Sequence, residues 1–256
     1  MSTSTGGRMP LIDHLRELRT RVVKSVAIIS LCSIIGWFFY NELITKLSEP
    51  VCDLRAAQES GADTCGALYI SGVLGPLNLQ IKVSILAGII MSAPVWLYQL
   101  WAFIAPALHR KEKRNSIFFI IAATPFFAAG GYLGYTILPI AVEVLFGFTP
   151  DALNNLVKFD DYLDFVMRAI LLFGIAFELP VFLITFNLIG FLSGKAILKP
   201  WRGWVFGITL FVAGFTPSAD PLSMLALAIP LILLYLFSGV FALLNDRRRA
   251  KKSQQE

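Results

Sequence analysis

The chain has 256 residues, of which 56% are hydrophobic and 15% are charged, and its formal net charge is +5. Because the apolar residues are gathered into long uncharged runs, this composition excludes an ordinary soluble domain. The sequence contains no HExxH, GxSxG or phosphate-binding loop and only two histidines, so we predict neither an enzyme nor a cofactor or metal site.

Six apolar segments follow one another along the chain. The hydrocarbon core of a bilayer is about 30 Å thick and needs about 20 largely apolar helical residues to cross it. The sequence therefore predicts an all-α membrane protein with six transmembrane helices. The segments are residues 25–41, 83–109, 115–142, 169–194 (interrupted by Glu178), 203–219 and 221–245.

Polar segments flank this six-span domain, which we place at residues 25–244. Residues 1–24 are predicted to form a cytoplasmic amphipathic segment, because Leu11, Leu15 and Leu18 share one face of a short helix. Residues 245–256 are rich in lysine and arginine, and we predict a basic, disordered cytoplasmic tail there.

Several predicted spans are kinked, short or interrupted. A proline inside a helix removes a backbone hydrogen bond and tends to bend the helix. The fifth span has a strongly apolar stretch, "WVFGITLFVAGF", that is only about 18 Å long as a helix. Kinked helices of unequal length favour a concave groove. The prolines within spans are Pro94, Pro125, Pro180 and Pro230, the last of which interrupts the sixth span.

The distribution of lysine and arginine predicts the orientation of the chain. Of 22 such residues, 17 lie before span 1, between spans 2 and 3, between spans 4 and 5, or after span 6. The positive-inside rule therefore places both termini in the cytoplasm. Anionic lipid at that surface explains the positive charge, and nucleic acid is not needed as a partner.

The chain has three cysteines. Cys32 lies in the first span, where it is most simply a small core residue. Cys52 and Cys65 both fall in the first outside loop, where disulfides persist, and we predict that they pair. Two unrelated loop thiols are the alternative.

Glu178 is the most costly residue of the sequence, since it lies near the middle of the fourth span. An acidic side chain there costs about 2.5–3.5 kcal/mol on insertion scales. We expect it to face a watery or protein-lined cavity, and a neutral carboxyl hydrogen-bonded to another span is the alternative. Lys82 is expected to extend to the outer surface, and Arg168 to pair with Asp164.

Glu17 and Glu112 are two acids on the predicted cytoplasmic side. On local sequence alone, Glu112 fits the first turn of the third transmembrane helix, where a carboxylate interacts favourably with the helix dipole. Glu17 fits an ordinary pair with Arg21 four residues later. A binding role for both carboxylates is the competing interpretation.

Five stretches of sequence together resemble the TatC family, the six-span receptor subunits of the twin-arginine protein translocase. The longest is "SAPVWLYQLWAFIAPALHRKEKR" at residues 92–114. The others are "HLRELRTR" at 14–21, "SEP" at 48–50, "YLDFV…FGIAFELPV" at 162–181 and "FTPSADPLSM" at 215–224.

The resemblance implies a function in protein export and a place in the bacterial cell membrane. Members of the family bind twin-arginine signal peptides of folded proteins and join single-span TatA- and TatB-type partners in a multi-copy complex, which the proton motive force drives. It implies that Glu17 and Glu112 bind the two arginines, which suits the bidentate geometry between guanidinium and carboxylate groups. Phe103 would flank this site, and Arg19 and Gln99 would support it.

The resemblance also assigns residues away from the signal site. Glu178 would be the polar group inside the concave face, and Pro50 would lie in the outside loop. Partner helices would dock around the turn between spans 5 and 6, at Thr216, Asp220 and Ser223. Met224 departs from the family pattern, in which a glutamine is frequent at this position.

Two other functions compete with the receptor. A proton-coupled small-solute transporter would use Glu178 as its proton carrier, but it predicts internal repeat symmetry, which the sequence does not show. A passive scaffold for other membrane proteins is the third possibility. Signal-peptide binding after replacement of Glu112 discriminates between them.

Overall fold

The computed structural model describes residues 11–52, 68–104, 113–147, 157–215 and 221–252, and these residues are mostly helical. Two short strands, β1 (Leu68–Tyr69) and β2 (Val157–Lys158), pair in parallel. The helices are α1 (Leu11–Phe38), α2 (Tyr40–Cys52), α3 (Gly75–Met91), α4 (Ala93–Ile104), α5 (Lys113–Phe146), α6 (Phe159–Leu188), α7 (Gly194–Leu198), α8 (Trp201–Phe215) and α9 (Pro221–Lys252).

Within the described ranges, four helices are long and apolar enough to cross a membrane: α1, α5, α6 and α9. The bent pair α3 and α4 raises that number to five. Helix α8 has 15 residues, which corresponds to about 22 Å and is less than the bilayer core requires. The multi-span character is therefore clear, while the sixth span stays a prediction.

The predicted second span is two helices, since α3 and α4 meet at an angle of 61°. The break lies at Ser92, whose hydroxyl donates to the carbonyl of Gly88 at 2.6 Å. Pro94 follows in the first turn of α4, where its missing N–H breaks no helix bond. Helices α5, α6 and α9 continue through Pro125, Pro180 and Pro230, and the concave groove stays a prediction.

Glycines allow α5 and α6 to pack closely against each other. A Cβ atom on Gly130 would lie 2.4 Å from the carbonyl oxygen of Phe173, and one on Gly174 would lie 2.8 Å from the ring of Phe127. Small residues at such a crossing let two membrane helices approach along their backbones. This antiparallel pair forms the centre of the bundle and carries Glu178.

The N-terminal segment is not a separate amphipathic helix. Helix α1 runs for 28 residues without a break, from the predicted interfacial segment into the first span. No glycine or proline lies between residues 11 and 35 to interrupt it. The predicted boundary at residue 24 therefore does not correspond to a change of structure.

The start of the predicted disordered tail is instead an ordered part of α9. Asp246 accepts hydrogen bonds from the side-chain amide of Asn187 at 2.8 Å and from the backbone N–H of Gly194 at 2.6 Å. Arg249 donates to the carbonyls of Asn187 and Leu188 at the end of α6. These contacts hold the helix in place beyond the membrane segment, an effect that composition does not reveal.

Two predictions concern α2. Pro50 lies inside this helix and is buried, and the place of this segment on the outer side of the membrane stays a prediction. Cys52, the last residue of α2, is disulfide-bonded, whereas Cys32 is a free thiol. Cys65 lies outside the described residues, and its pairing stays a prediction.

Candidate functional site

The N-terminal half of α1 meets the C-terminal half of α4 around Glu17. Its Oε1 atom accepts hydrogen bonds from Nε of Arg21 at 3.0 Å and from Nη2 of Arg21 at 2.5 Å. Both side chains are 23% exposed, so the ion pair is partly shielded from solvent. The spacing of four residues places them on one face of the helix.

Two contacts join this pair to α4. Nη1 of Arg21 donates to Oε1 of Gln99 at 3.3 Å. The ring of His14 stacks on that of Phe103, with 4.4 Å between centroids and an interplanar angle of 17°. One end of the bundle therefore carries a partly shielded carboxylate, a guanidinium, an amide and an aromatic face. We call this end of the bundle the site end.

The structure brings together three of the five residues predicted for the signal site: Glu17, Gln99 and Phe103. Arg19 is exposed, and its offset of two residues puts it on the side of α1 opposite to Glu17. Glu112 lies outside the described residues, so its place relative to Glu17 stays a prediction.

Sequence reasoning missed two residues of this site. Arg21 was expected only as a surface partner of Glu17, whereas it also reaches Gln99, which is 78 positions away in the chain. His14 was given no role, and it contacts Phe103. The spacing of four residues predicts the first contact of Arg21, but no local pattern predicts contacts between α1 and α4.

Glu178 is buried in α6 with 3% exposure. Neither carboxyl oxygen has a hydrogen-bond partner, and the hydroxyl of Thr124 in α5 is the other buried side-chain group without one among the described residues. The alternative of a carboxyl bonded to another span is therefore not what the structure shows. An unpaired polar group in an apolar interior is costly, and the role of Glu178 stays a prediction.

Lys82 belongs to an ion-pair cluster that the sequence did not predict. Its Nζ atom lies 2.9 Å from Oδ1 of Asp160 and 2.6 Å from Oδ1 of Asp164. Asn78 adds a hydrogen bond of 3.1 Å to Asp160. Lys82 thus takes the place that was expected for Arg168, which is exposed, and it ties α3 to α6 at the opposite end of the bundle.

Two cavities lie away from Glu17 and Glu178. One of about 610 Å³ is lined by residues 70–75, by residues early in α3 and by Lys158 and Asp160. The other, of about 410 Å³, lies between α1 and α3 beside Trp37 and Ile85. Neither is lined by Glu17 or Glu178, so neither supports a solute site at Glu178.

The structure describes only one of the three residues predicted for partner docking. Thr216 and Asp220 lie outside the described residues, and Ser223 belongs to the first turn of α9. Over the described ranges, no group of three or more His, Cys, Asp or Glu side chains could hold a metal ion. Partner docking at the turn between α8 and α9 stays a prediction.

The sequence and the fold both match known proteins. Residues 13–230 match the family model of TatC, the Sec-independent protein translocase protein. TatC of Frankia casuarinae is 38% identical over 98% of this chain and 70% of its own length. TatC of Aquifex aeolicus is 34% identical over 94% of this chain and 98% of its own.

A solved structure agrees with these relatives. The crystal structure of the twin-arginine translocase receptor TatC in DDM superimposes with a TM-score of 0.77 and 31% identity, over 90% of this chain and 99% of that one. These matches confirm the predicted resemblance and indicate a multi-pass bacterial membrane protein that transports proteins and is not an enzyme. The chain belongs to the TatC family of Sec-independent protein translocase proteins.

Proposed function

We propose that this protein is the receptor subunit of a twin-arginine export complex. It binds the signal peptides of folded proteins through carboxylates at the site end, and the proton motive force drives the later steps. The observation that supports this function best is the partly shielded Glu17 carboxylate, held between α1 and α4 in a family with a solved member described as a receptor.

The chemistry of Glu17 fits an arginine ligand. A carboxylate accepts two parallel hydrogen bonds from a planar guanidinium, and a lysine ammonium does not reproduce that geometry. Glu112 would supply the second carboxylate, so that two adjacent arginines each find one acceptor. The aromatic ring of Phe103 gives the neighbouring apolar residues of the signal a surface to contact.

The charge at the site end supports a cytoplasmic location for it. Exposed cations lie where α7, α8 and the end of α9 reach the same end of the bundle, which the positive-inside rule places in the cytoplasm. These cations would repel arginines away from the carboxylates, and this repulsion makes the acids more selective. They are Lys195, Lys199, Arg202, Arg247 and Arg248.

Two further regions would act after the signal is captured. Glu178, which is buried and unpaired, would serve a later step of translocation rather than binding.

Single-span TatA- and TatB-type partners would dock near Thr216, Asp220 and Ser223. A photoreactive group at Thr216 is expected to capture such a partner helix, and capture only at α1 would contradict this docking site.

Replacement of both acids tests the receptor function. The double variant Glu17→Gln and Glu112→Gln keeps the shape of the side chains and removes their charge. Since a hydrogen bond to a charged group contributes about 1.5–3 kcal/mol, signal binding should fall at least about tenfold. Crosslinking of matched peptides with two arginines or two lysines in membranes would measure both affinity and discrimination.

Glu49→Gln is the matched control for this test. Glu49 is an exposed acid on α2 that pairs with Lys46 at 3.3 Å, away from the site. It should leave binding unchanged. Undiminished preference for arginine in the double variant would contradict the proposed function, and intact peptide binding with lost uptake of a small solute would favour a transporter instead.

A further inference from the structure

We infer that Arg21 is a positioning residue of the signal site, which orients the Glu17 carboxylate toward an incoming arginine. This inference rests on the proposed function, because it assigns the signal arginine to Glu17. It adds a residue that neither the sequence patterns nor the resemblance singled out for binding.

The two hydrogen bonds from Arg21 converge on a single oxygen. Nε and Nη2 both donate to Oε1 of Glu17, at 3.0 and 2.5 Å. Within the described residues, no hydrogen bond reaches Oε2 of Glu17, and this atom is not among the buried unpaired ones. Among the described residues, Arg21 holds one oxygen of the carboxylate and no side chain bonds the other, which we assign to the incoming guanidinium.

Helix α4 fixes Arg21 in turn. Nη1 donates to Oε1 of Gln99 at 3.3 Å, so the guanidinium bridges a carboxylate on α1 and an amide on α4. The stack of His14 on Phe103, at 4.4 Å between centroids, joins the same two helices nearby. The direction of the open Glu17 oxygen therefore depends on how α1 and α4 are placed against each other.

Only arginine can make this bridge. Its guanidinium holds five N–H donors in one rigid plane, and three nitrogens are used here on two acceptors. Lysine offers a single ammonium group on a flexible stem, which binds as a point charge. A lysine at this position would keep the positive charge and lose the orientation of the carboxylate.

The same contacts allow an alternative role, in which Arg21 pairs with the Glu17 carboxylate and competes with the signal arginine for it. The two predictions differ in sign. A competitor would weaken binding, so its removal should strengthen the complex with a twin-arginine peptide. A positioning residue prepares the acceptor before the peptide arrives, so its removal should weaken the complex.

Arg21→Lys tests the inference in the full complex, reconstituted with its partners in membranes. Affinity is measured for matched peptides carrying two arginines or two lysines. We expect binding of the arginine peptide to fall about fivefold, the ratio that corresponds to one net hydrogen bond. The lysine peptide should change much less, so the arginine-to-lysine ratio of affinities falls.

Two further variants complete the experiment. Arg16→Gln removes an exposed charge from the same helix one residue before Glu17, and it should leave the ratio unchanged. Gln99→Ala should lower the ratio as Arg21→Lys does, and the two changes combined should lower it no further, because they break one bridge.

The outcomes that overturn the inference are distinct. Stronger or unchanged binding of the arginine peptide by Arg21→Lys would rule out positioning. Equal weakening for both peptides would show a structural role only. Failure of the unaltered complex to bind the arginine peptide would overturn the proposed function itself, and this inference with it.

Discussion

Helix α6 holds its acidic side chains in two contrasting settings. At its N-terminal end, Asp160 and Asp164 both contact Lys82 of α3, at 2.9 and 2.6 Å. Near its middle, Glu178 is 3% exposed and neither of its oxygens has a partner. The same helix therefore carries two carboxylates that the fold pairs with a lysine and one buried carboxyl that it leaves without a partner.

We propose that the difference separates a structural role from a functional one. A paired cluster at the end of a helix joins two elements, and its members need each other. An unpaired carboxyl in an apolar interior lowers stability, and proteins keep such groups where function requires them. Substitution at the two places should therefore change stability in opposite directions.

The largest expected change in stability comes from Lys82→Met, which leaves two carboxylates facing each other. Removing one partner of a buried ion pair costs about 3–5 kcal/mol. Lys82 is 23% exposed and Asp164 is 38% exposed, so solvent screening lowers the expected loss to about 2 kcal/mol. Chemical unfolding in detergent would measure it.

Two controls keep this prediction specific. Lys46→Met, at an exposed pair with Glu49, should leave stability nearly unchanged. Adding Asp160→Asn and Asp164→Asn to Lys82→Met should restore part of the loss. If Lys82→Met has the same free energy of unfolding as the unaltered protein, the contacts between Lys82 and the two aspartates do not stabilise the packing of α3 on α6.

Glu178→Leu should act in the other direction on stability. Since the carboxyl has no partner to lose, an apolar side chain of similar size should stabilise the fold by about 1–2 kcal/mol, the desolvation cost of an unpaired polar group. Signal binding should persist while export falls. Unfolding, peptide crosslinking and an export assay on the same variant test the three parts.

A stabilised Glu178→Leu protein with full export would show that the buried acid has no transport role. A destabilised one would show that Glu178 has a partner in the folded state, and the contrast with Asp160 and Asp164 would then disappear. Glu178→Gln distinguishes charge from polarity, because the amide keeps hydrogen-bonding capacity and removes the ionisable proton.

How much of this contrast the sequence could predict depends on how far apart the contacting residues lie along the chain. The uncharged runs predict the long helices, and the position of Glu178 inside one of them predicts a costly buried acid. The Glu17–Arg21 pair follows from its spacing of four residues. Local spacing carries this information because both residues belong to one helix.

Contacts between helices could not be predicted in the same way. Lys82 lies 78 and 82 positions from its two aspartates, and the register of α3 against α6 decides whether they meet. For the same reason local spacing predicts a pair between Asp164 and Arg168, which lies four residues later, and misses Lys82. The helical tail depends on Asp246 reaching Asn187, a contact between α9 and α6.

The smallest expected effect concerns Thr124, which among the described residues is the other one with a buried, unpaired polar side-chain atom. The hydroxyl of Thr185, in contrast, donates to the carbonyl of Val181 at 2.6 Å, as helical threonines commonly do. Thr124→Val should therefore stabilise the protein by about 0.5–1 kcal/mol, whereas Thr185→Val should destabilise it by about 1 kcal/mol.

The packing of α5 on α6 links this effect to Glu178. Gly130 faces Phe173 and Phe127 faces Gly174, so the antiparallel pairing places Thr124 at the same level as Glu178. If the two groups act together in transport, export by Thr124→Val should fall in the same direction as export by Glu178→Leu, and the double variant should be no worse than Glu178→Leu. Additive losses would mean that the two residues act independently, and the unpaired state of Glu178 would then be a property of one residue rather than of a shared site between the two helices.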